Sequence, residues 1–203
     1  MTDSDALPEG HLRLLHSLEP AYLQSDDPIR QSGFGGGAAR WREEREPILD
    51  AIDSDGDLLD VGCANGFLLE CLMEWAQERG IRLTPHGLDI GPRLIELARQ
   101  RLPGYAANFS VGNAWNWQPP QRFDYVYVLY DSVPPDYLAE YIQRLLARCI
   151  LPGGRLIIGA YGSRSRQLLP FDIAAFLHTN GFAVAGTAEG GSPVIARFAW
   201  IQK

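Results

Sequence analysis

A turn built from small residues is the part of this sequence best suited to chemistry. An apolar run over residues 58–61 leads into Gly62, Ala64 and Gly66, and an apolar helical pattern begins at Phe67. Small side chains let a ligand approach the backbone closely, and the helix that follows would point unpaired N–H groups toward polar groups of that ligand. The segment therefore predicts a binding site for a polar small molecule at the carboxyl end of a strand.

Two aspartates accompany this turn. Asp60 directly precedes it, where a carboxylate could pair with a cationic group of a ligand, hydrogen-bond the amides of the turn, or only stabilise the loop. Asp89 ends the next apolar run, roughly twenty-odd residues later, where a carboxylate typically binds the two hydroxyls of an adenosine ribose. Asp89 could also cap the helix that begins at Pro92, and the two roles are compatible.

The elements that must position these residues follow from an alternation of short β-branched runs and helical patterns, which is typical of βαβ units. We predict strands over residues 58–61, 84–90, 108–112, 123–129, 155–160, 183–187 and 195–201. We predict helices with one apolar stripe over residues 67–79, 92–102, 136–149 and 170–179. The short gap between the last two strands indicates an antiparallel hairpin. The prediction is an α/β fold with a seven-stranded, mostly parallel sheet, an antiparallel last strand and helices on both faces.

The first fifty residues have a different pattern. They contain an amphipathic helical pattern over residues 11–23, a glycine-rich stretch over 32–37 and a charged helical pattern over 38–52. Glycine this dense costs conformational entropy on ordering, so we expect the stretch to be rigid only if it folds over a ligand. We predict that residues 1–50 form a helical N-terminal cap of the same domain, whose main part spans residues 51–203.

Composition and charge narrow the classes of function. The chain is 46% hydrophobic and 21% charged, as ordinary globular proteins are, and it lacks an apolar run approaching the roughly 20 residues that cross a bilayer. The acidic stretch 1–5 lacks the features of a secretory signal, and the three scattered cysteines fit buried thiols, so we expect a cytoplasmic protein without a membrane partner. The net charge of −7 disfavours nucleic acid as a partner, and the four histidines lack metal-ligand spacing, so no metal is proposed.

From about Pro47 to the C-terminus, these segments resemble the class I S-adenosylmethionine-dependent methyltransferase family. Residues 60–66 (DVGCANG) look like the family's glycine motif, with Ala64 in place of the middle glycine. Residues 151–154 (LPGG) resemble its turn before the fifth strand, and the closing hairpin matches its antiparallel seventh strand. The resemblance implies a Rossmann-like fold, S-adenosylmethionine as cofactor, S-adenosylhomocysteine as product, and methyl transfer as the reaction.

The same resemblance implies roles for residues that bind the adenosine. Asp89 would hold the ribose, and Ile90 would pack on the adenine ring. Asn113 and Ala114, in the turn after the third strand, would meet the adenine amino group, and Trp115 could wall the ring or belong to the core. With Asp60, Gly62, Ala64 and Gly66 these residues make up most of the predicted cofactor site.

The residues nearest the reaction follow the fourth strand. Tyr130 and Asp131 are the candidate catalytic residues, because a hydroxyl or protonated amine acceptor must lose a proton, and Tyr130 is also a candidate cofactor contact. Arg40 could pair with the carboxylate of the donor, or it could lie on a solvated helix face with i,i+4 charge pairs. Tyr161 could border the acceptor site. Residues 130–133 (YDSV) lack the Asn-Pro-Pro-aromatic signature of family members that act on nucleic-acid bases, which favours a small-molecule acceptor.

Two other functions compete with this interpretation. An NAD-dependent oxidoreductase also needs a glycine turn and a ribose carboxylate, but its fingerprint would place glycines where this chain has Ala64 and Phe67. A methyltransferase-like domain without catalysis, acting as a binding partner, uses the same donor-binding residues. The sequence leaves the acceptor, the methylated atom and the oligomeric state open.

Overall fold

The computed structural model describes residues 7–203, and within that range one sheet contains seven strands. The strands are β1 (Gly56–Val61), β2 (Leu83–Asp89), β3 (Phe109–Val111), β4 (Phe123–Leu129), β5 (Ile150–Tyr161), β6 (Gly186–Gly190) and β7 (Ala196–Gln202). Their order across the sheet is β3-β2-β1-β4-β5-β7-β6. The acidic stretch 1–5, used above as an argument against a secretory signal, lies outside the described residues.

The pairing of the strands confirms the predicted sheet. Strands β1 to β5 run parallel to one another, whereas β7 runs antiparallel to both β5 and β6. The chain builds outward from β1 to β2 and β3, and then returns to the other side of β1 with β4. In open α/β sheets, ligands bind at the carboxyl ends of the strands where the order reverses. The topology therefore directs attention to the ends of β1 and β4.

Helices cover both faces of the sheet, as predicted. The helices are α1 (Glu9–Tyr22), α2 (Ala38–Arg45), α3 (Phe67–Glu78), α4 (Pro92–Arg101), α5 (Leu138–Arg148) and α6 (Ile173–Thr179). Successive strand residues point to opposite faces, so Leu58 packs in the core with α3 and α4 while Leu59 packs in the core with α5 and α6. No helix within residues 7–203 is long and apolar enough to cross a membrane.

Most boundaries differ from the prediction by three residues or fewer, including β6, predicted over 183–187, and α6, predicted from 170. Two differ by five residues or more, for local reasons. The charged helix predicted to reach residue 52 ends at Arg45, and a 3₁₀ helix, Glu46–Ala51, follows. Pro47 has no N–H to donate to a preceding carbonyl, so an α-helix cannot continue through it undisturbed. Strand β5 begins at Ile150 instead of residue 155 because Ile150 already pairs with Phe123. Residues 151–154, predicted as a turn before this strand, instead lie within it as an irregularity across which the register shifts, and the φ of Gly153 there is +83°.

Candidate active site

The turn after β1 is held closed by hydrogen bonds to the end of β2. The N–H groups of Gly62 and Cys63 both donate to the carbonyl oxygen of Leu88, at 2.7 and 3.1 Å. The N–H of Ala64 donates to Oδ2 of Asp89 at 2.8 Å. Ala64 has a φ of +46°, a left-handed conformation that side chains other than glycine disfavour by about 1–2 kcal/mol. The Asp89 carboxylate therefore holds the backbone N–H of Ala64, the residue that replaces the middle glycine of the motif.

Asp89 keeps free hydrogen-bonding capacity although both of its oxygens are engaged. Its Oδ1 accepts from the N–H of Gly91 at 2.8 Å, next to the start of α4, and its Oδ2 accepts from Ala64. A carboxylate oxygen has two lone pairs, so each oxygen can still accept one ligand hydroxyl. Burial raises the pKa of the carboxyl despite these two amides. The arrangement suits a ribose diol and supports the local turn at the same time.

A cavity of about 330 Å³ lies between α1 and the ends of β1 to β3, and we call it the α1 cavity. From α1 it is lined mainly by apolar side chains, namely Leu14, Leu15 and Leu18, together with His11, Glu19 and Tyr22. The opposite wall consists of Leu88, Asp89, Ile90, Leu94, Gly112, Asn113 and Ala114. The structure thus brings together the four residues predicted to bind adenosine in one apolar cleft that contains a carboxylate and a carboxamide.

A larger cavity of about 540 Å³ lies on the other side of Gly62, and we call it the α2 cavity. Its wall includes the glycine-rich segment from Ser32 to Gly36 and the α2 residues Arg40, Trp41, Glu44 and Arg45. The sheet contributes Asp60, Tyr127 and Tyr161, and the turn after β1 contributes Ala64. Arg164 and Ile195 complete it from the loops after β5 and before β7. The glycine-rich segment therefore lies over a cavity, where it could fold over a ligand as expected from the sequence.

Five residues line both cavities, so the two form adjoining parts of one site. The shared residues are Tyr22, Val61, Gly62, Leu129 and Asp131. A Cβ placed on Gly62 would meet no protein atom within 4 Å, and the φ of Gly62 is +92°. The backbone of Gly62 is therefore open to a ligand that extends from one cavity into the other.

Asp60 is a buried carboxyl group on the wall of the α2 cavity. Its exposed fraction is 3%. Burial, with a smaller contribution from the charge on Asp89, raises its pKa to about 8. A buried acid without a counter-charge is held in its neutral form at neutral pH. A cationic ligand group beside Asp60 would favour the ionised carboxylate, so Asp60 is suitable for binding an ammonium.

We expect replacement of Asp60 with asparagine to stabilise the ligand-free protein increasingly as the pH rises. The folded pKa of about 8 lies above the unfolded value of 3.8, so the native state loses stability between these values as the pH increases. Asparagine does not titrate in this range. The free energy of unfolding of the variant, relative to that of the wild type, should therefore grow by at most about 1.4 kcal/mol per pH unit. Urea unfolding of both proteins at several pH values between 5 and 8 measures the difference. Curves that stay parallel would show that the Asp60 carboxyl is ionised in the native state.

Gly66 lines neither cavity, in contrast to the other small residues of the turn. It precedes α3 with a φ of +74°, and a Cβ placed on it would come within 3.0 Å of Ala98 Cβ and 3.2 Å of Ala98 Cα. The structure therefore gives Gly66 a packing role between α3 and α4, which adds to or replaces the cofactor contact predicted for it.

The packing role predicts a difference between two glycine substitutions. Gly66→Ala should cost about 2–4 kcal/mol of stability, because left-handed strain adds to the overlap with the backbone of α4. Gly80→Ala is the matched control, since Gly80 has a φ of +77° and open space around its Cβ position, so strain alone of about 1 kcal/mol is expected. Denaturant unfolding compares the two, and equal losses would contradict the packing role.

Asn65, inside the turn, ties the N-terminal segment to the site. Its side chain is fully buried, accepts from Ser32 Oγ at 2.9 Å and donates to Gln31 Oε1 at 3.0 Å and Pro28 O at 3.1 Å. Sequence reasoning did not single out this residue. A polar side chain between Ala64 and Gly66, two residues before an apolar helix, was the available signal, since a buried amide needs hydrogen-bond partners.

The structure separates the two candidate catalytic residues. Asp131 lines both cavities at the point where they meet, and desolvation raises the pKa of its carboxyl. Tyr130 is absent from both cavity walls, and its ring stacks on Phe171 with centroids 4.8 Å apart. Trp115 also lies away from the adenosine site, because it is buried against Tyr137 and Tyr141.

Arg40 fits both of the interpretations considered for it. It lines the α2 cavity, and its Nε and Nη2 donate to Glu44 Oε1 at 3.0 and 2.9 Å, which is an i,i+4 pair. Arg45 was not singled out from the sequence, although it also lines the cavity. The sequence did contain a signal: Arg40 and Arg42 each have a glutamate four residues later, whereas Arg45 has Trp41 and Leu49 at the corresponding positions.

Comparison with known proteins agrees with this geometry. A family model described as a methyltransferase domain matches residues 58–154. An N-methyltransferase, NodS, from Bradyrhizobium japonicum WM9, in complex with S-adenosyl-L-homocysteine, is similar with a TM-score of 0.70 and 18% identity, over 93% of this chain and 97% of that one.

Two further solved structures share the fold. The 1,6-didemethyltoxoflavin-N1-methyltransferase of Burkholderia thailandensis has a TM-score of 0.67 and 18% identity, over 98% of this chain and 91% of that one. The magnesium protoporphyrin IX methyltransferase ChlM of Synechocystis PCC 6803 has a TM-score of 0.62 and 17% identity, over 98% of this chain and 99% of that one. The family model and the shared fold thus agree with the resemblance to the class I S-adenosylmethionine-dependent methyltransferases, and the match to a methyltransferase domain spans residues 58–154.

Proposed function

We propose that this protein binds S-adenosylmethionine and transfers its methyl group to a small-molecule acceptor. The observation that carries the proposal is the pair of cavities that adjoin at Gly62, because one suits a nucleoside and the other holds buried charged groups. In the part of the N-terminal segment that the structure describes, residues 7–50 act as a helical cap on the domain formed by residues 51–203, and α1 and α2 give the two cavities one wall each.

The α1 cavity receives the adenosine. Asp89 accepts the two ribose hydroxyls with the lone pairs that Gly91 and Ala64 leave free. Ile90 and the leucines of α1 enclose the purine ring. Asn113 Oδ1 accepts from the N–H of Trp115 at 3.0 Å, which fixes its carboxamide beside Ala114 at the far end of the cavity, where the adenine amino group would lie.

The amino-acid part of the donor crosses Gly62 into the α2 cavity. There Asp60 binds the ammonium group, which would stabilise the ionised carboxylate and bring its pKa down from about 8. Arg40 binds the carboxylate, since a guanidinium forms a strong charge-assisted pair with it and Glu44 holds the guanidinium in place. The residues present therefore fit the ammonium and the carboxylate of the donor.

Bound S-adenosylmethionine would supply a methyl carbon already activated by a sulfonium. The protein's contribution is then to hold the acceptor in line with that carbon and to exclude water, which is an effect of position. Asp131 stands where the two cavities meet and can take a proton from an acceptor hydroxyl or amine. A raised pKa makes this carboxylate a stronger base than an exposed aspartate.

A small acceptor agrees with the size and cover of the α2 cavity. The segment from Ser32 to Gly36 lies over it, and its volume of about 540 Å³ must hold part of the donor as well. Two of the similar structures are enzymes named for small acceptors, 1,6-didemethyltoxoflavin and magnesium protoporphyrin IX. The net charge of −7 further disfavours polyanionic substrates.

The experiment is a label-transfer reaction. The purified protein is incubated with S-adenosylmethionine carrying a trideuterated methyl group and with a small-molecule extract, and products are detected by mass spectrometry. Labelled small molecules that require the protein and disappear with Gly62→Val, which fills the junction between the cavities, are the expected result. Donor binding without any labelled product would favour a non-catalytic binding domain, and reduction of NAD by the extract in place of methylation would favour an oxidoreductase.

A further inference from the structure

Three arginines converge on one carboxylate at the wall of the α2 cavity. Glu44 is 2% exposed, and its carboxylate lies 2.9 Å from Arg40 Nη2, 3.5 Å from Arg164 Nη2 and 3.9 Å from Arg45 Nη1. Three positive charges therefore face one negative charge inside a protein whose net charge is −7. This wall attracts an anion more strongly than the rest of the molecule does.

Arg45 is the least satisfied of the three. Its exposed fraction is 6%, its Nη1 has no hydrogen-bond partner among the described residues, and the 3.9 Å separation from Glu44 exceeds a hydrogen bond. Its guanidinium carbon lies 4.0 Å from the ring centroid of Trp41, 4.2 Å from Phe34 and 4.5 Å from Tyr161. A buried guanidinium without acceptors is costly to keep, and rings on three sides hold it in position.

The position of Arg45 favours the acceptor over the donor. Tyr161 ends β5, and β4 lies between β5 and β1, whose end carries the glycine turn. Two strand spacings separate β1 from β5, or roughly 10 Å. Arg45 therefore stands beyond the junction at Gly62 and Asp131, on the side away from the α1 cavity, where an acceptor would approach.

We propose that the methyl acceptor carries a carboxylate and that Arg45, assisted by Arg164, binds it. The proposal rests on the methyl-transfer function above and names the class of substrate. Arg164 Nη1 donates to Ser192 O at 3.1 Å, and its buried Nε has no hydrogen-bond partner within residues 7–203, so this side chain too can bind an anionic group. Glu44 balances one of the three arginine charges and the donor's carboxylate balances a second, so one positive charge is left, which matches a singly charged carboxylate better than a phosphate dianion.

The test compares benzoate with its neutral isostere benzamide on protein saturated with S-adenosylhomocysteine. Binding is followed by tryptophan fluorescence, because Trp41 packs against the Arg45 guanidinium. The wild type should bind benzoate at least about tenfold more tightly than benzamide, and Arg45→Met should remove that preference. Equal affinities in the wild type, absence of binding by both probes, or a preference that survives in Arg45→Met would each overturn the proposal.

A second measurement separates the two possible sources of a carboxylate. The affinity for S-adenosylhomocysteine should stay close to the wild-type value in Arg45→Met and fall by about tenfold or more in Arg40→Met. A loss of similar size in Arg45→Met would assign Arg45 to the donor's carboxylate and overturn the acceptor proposal. Wild-type protein that does not bind S-adenosylhomocysteine at all would instead refute the methyltransferase function.

Arg164→Gln keeps the proposal testable if Arg45→Met does not fold. The side chain of Arg164 is 31% exposed and lies on the loop after β5, so its replacement should leave the core intact. The preference for benzoate should shrink by about threefold or more in this variant, since one of two charge-assisted contacts is lost. An unchanged preference would overturn the part of the proposal that assigns Arg164.

Discussion

Asp89→Asn is expected to weaken S-adenosylhomocysteine binding by about 100-fold, which corresponds to the loss of about 3 kcal/mol. Each Asp89 oxygen already accepts a backbone N–H, from Ala64 or Gly91. An asparagine must turn its NH₂ group toward one of these donors, so the turn and the ribose contacts are disturbed together. Isothermal titration of both proteins measures the loss.

The role of the ribose hydroxyls can be isolated by changing the ligand as well as the protein. Wild-type protein should bind adenosine much more tightly than 2′,3′-dideoxyadenosine, and Asp89→Asn should bind the two with similar affinity. Asp124→Asn is the matched control, because Asp124 Oδ2 also accepts a backbone N–H, from Asp57 at 2.8 Å, at the opposite end of the sheet. A preference for adenosine that persists in Asp89→Asn would show that another residue binds the ribose.

Asp131→Asn is expected to lower kcat by about 10²–10⁴-fold with the acceptor found by label transfer, because general-base catalysis contributes effects of that size. Asparagine has nearly the same shape but cannot take a proton. Because partial burial raises the pKa of the Asp131 carboxyl, the wild-type kcat should rise with pH through a value above the ordinary aspartate range. Steady-state rates across pH measure both effects.

Tyr130→Phe is the control for this prediction, since it removes only the hydroxyl and keeps the ring that stacks on Phe171. Its kcat should remain close to that of the wild type. The opposite pattern, a large loss in Tyr130→Phe and none in Asp131→Asn, would assign the proton transfer to the tyrosine. Losses in neither variant would indicate an acceptor that reacts without a base.

The positions of the strands and most helices could be predicted from sequence because their periodicity is local. Strand residues 58–61 and 123–129 alternate between the two faces of the sheet. The turn after the first of these strands has small residues at alternate positions, a pattern that few other kinds of local structure require. The residues predicted to bind adenosine stand at the ends of two other predicted strands, 84–90 and 108–112. For that reason Asp89, Ile90, Asn113 and Ala114 are found together in one cavity.

The parts that could not be predicted depend on contacts between distant segments. Tyr130 and Asp131 are neighbours in sequence, and the 3₁₀ turn Tyr130–Ser132 interrupts the strand alternation that would have told which side chain faces the cavity. The roles of Asn65, Tyr22 and Arg45 arise only when the N-terminal segment packs over the sheet. The sequence has no acidic residue four positions from Arg45, which distinguishes it from Arg40 and Arg42. That pattern could not show which residues the guanidinium contacts.

Calorimetric titration of the wild-type protein with S-adenosylhomocysteine and, separately, with NAD tests the central claim most directly. Binding of one S-adenosylhomocysteine per chain, with NAD producing no measurable heat of binding, is the result that the two adjoining cavities predict. Binding of NAD without binding of S-adenosylhomocysteine would contradict the account, and so would the absence of binding by both ligands.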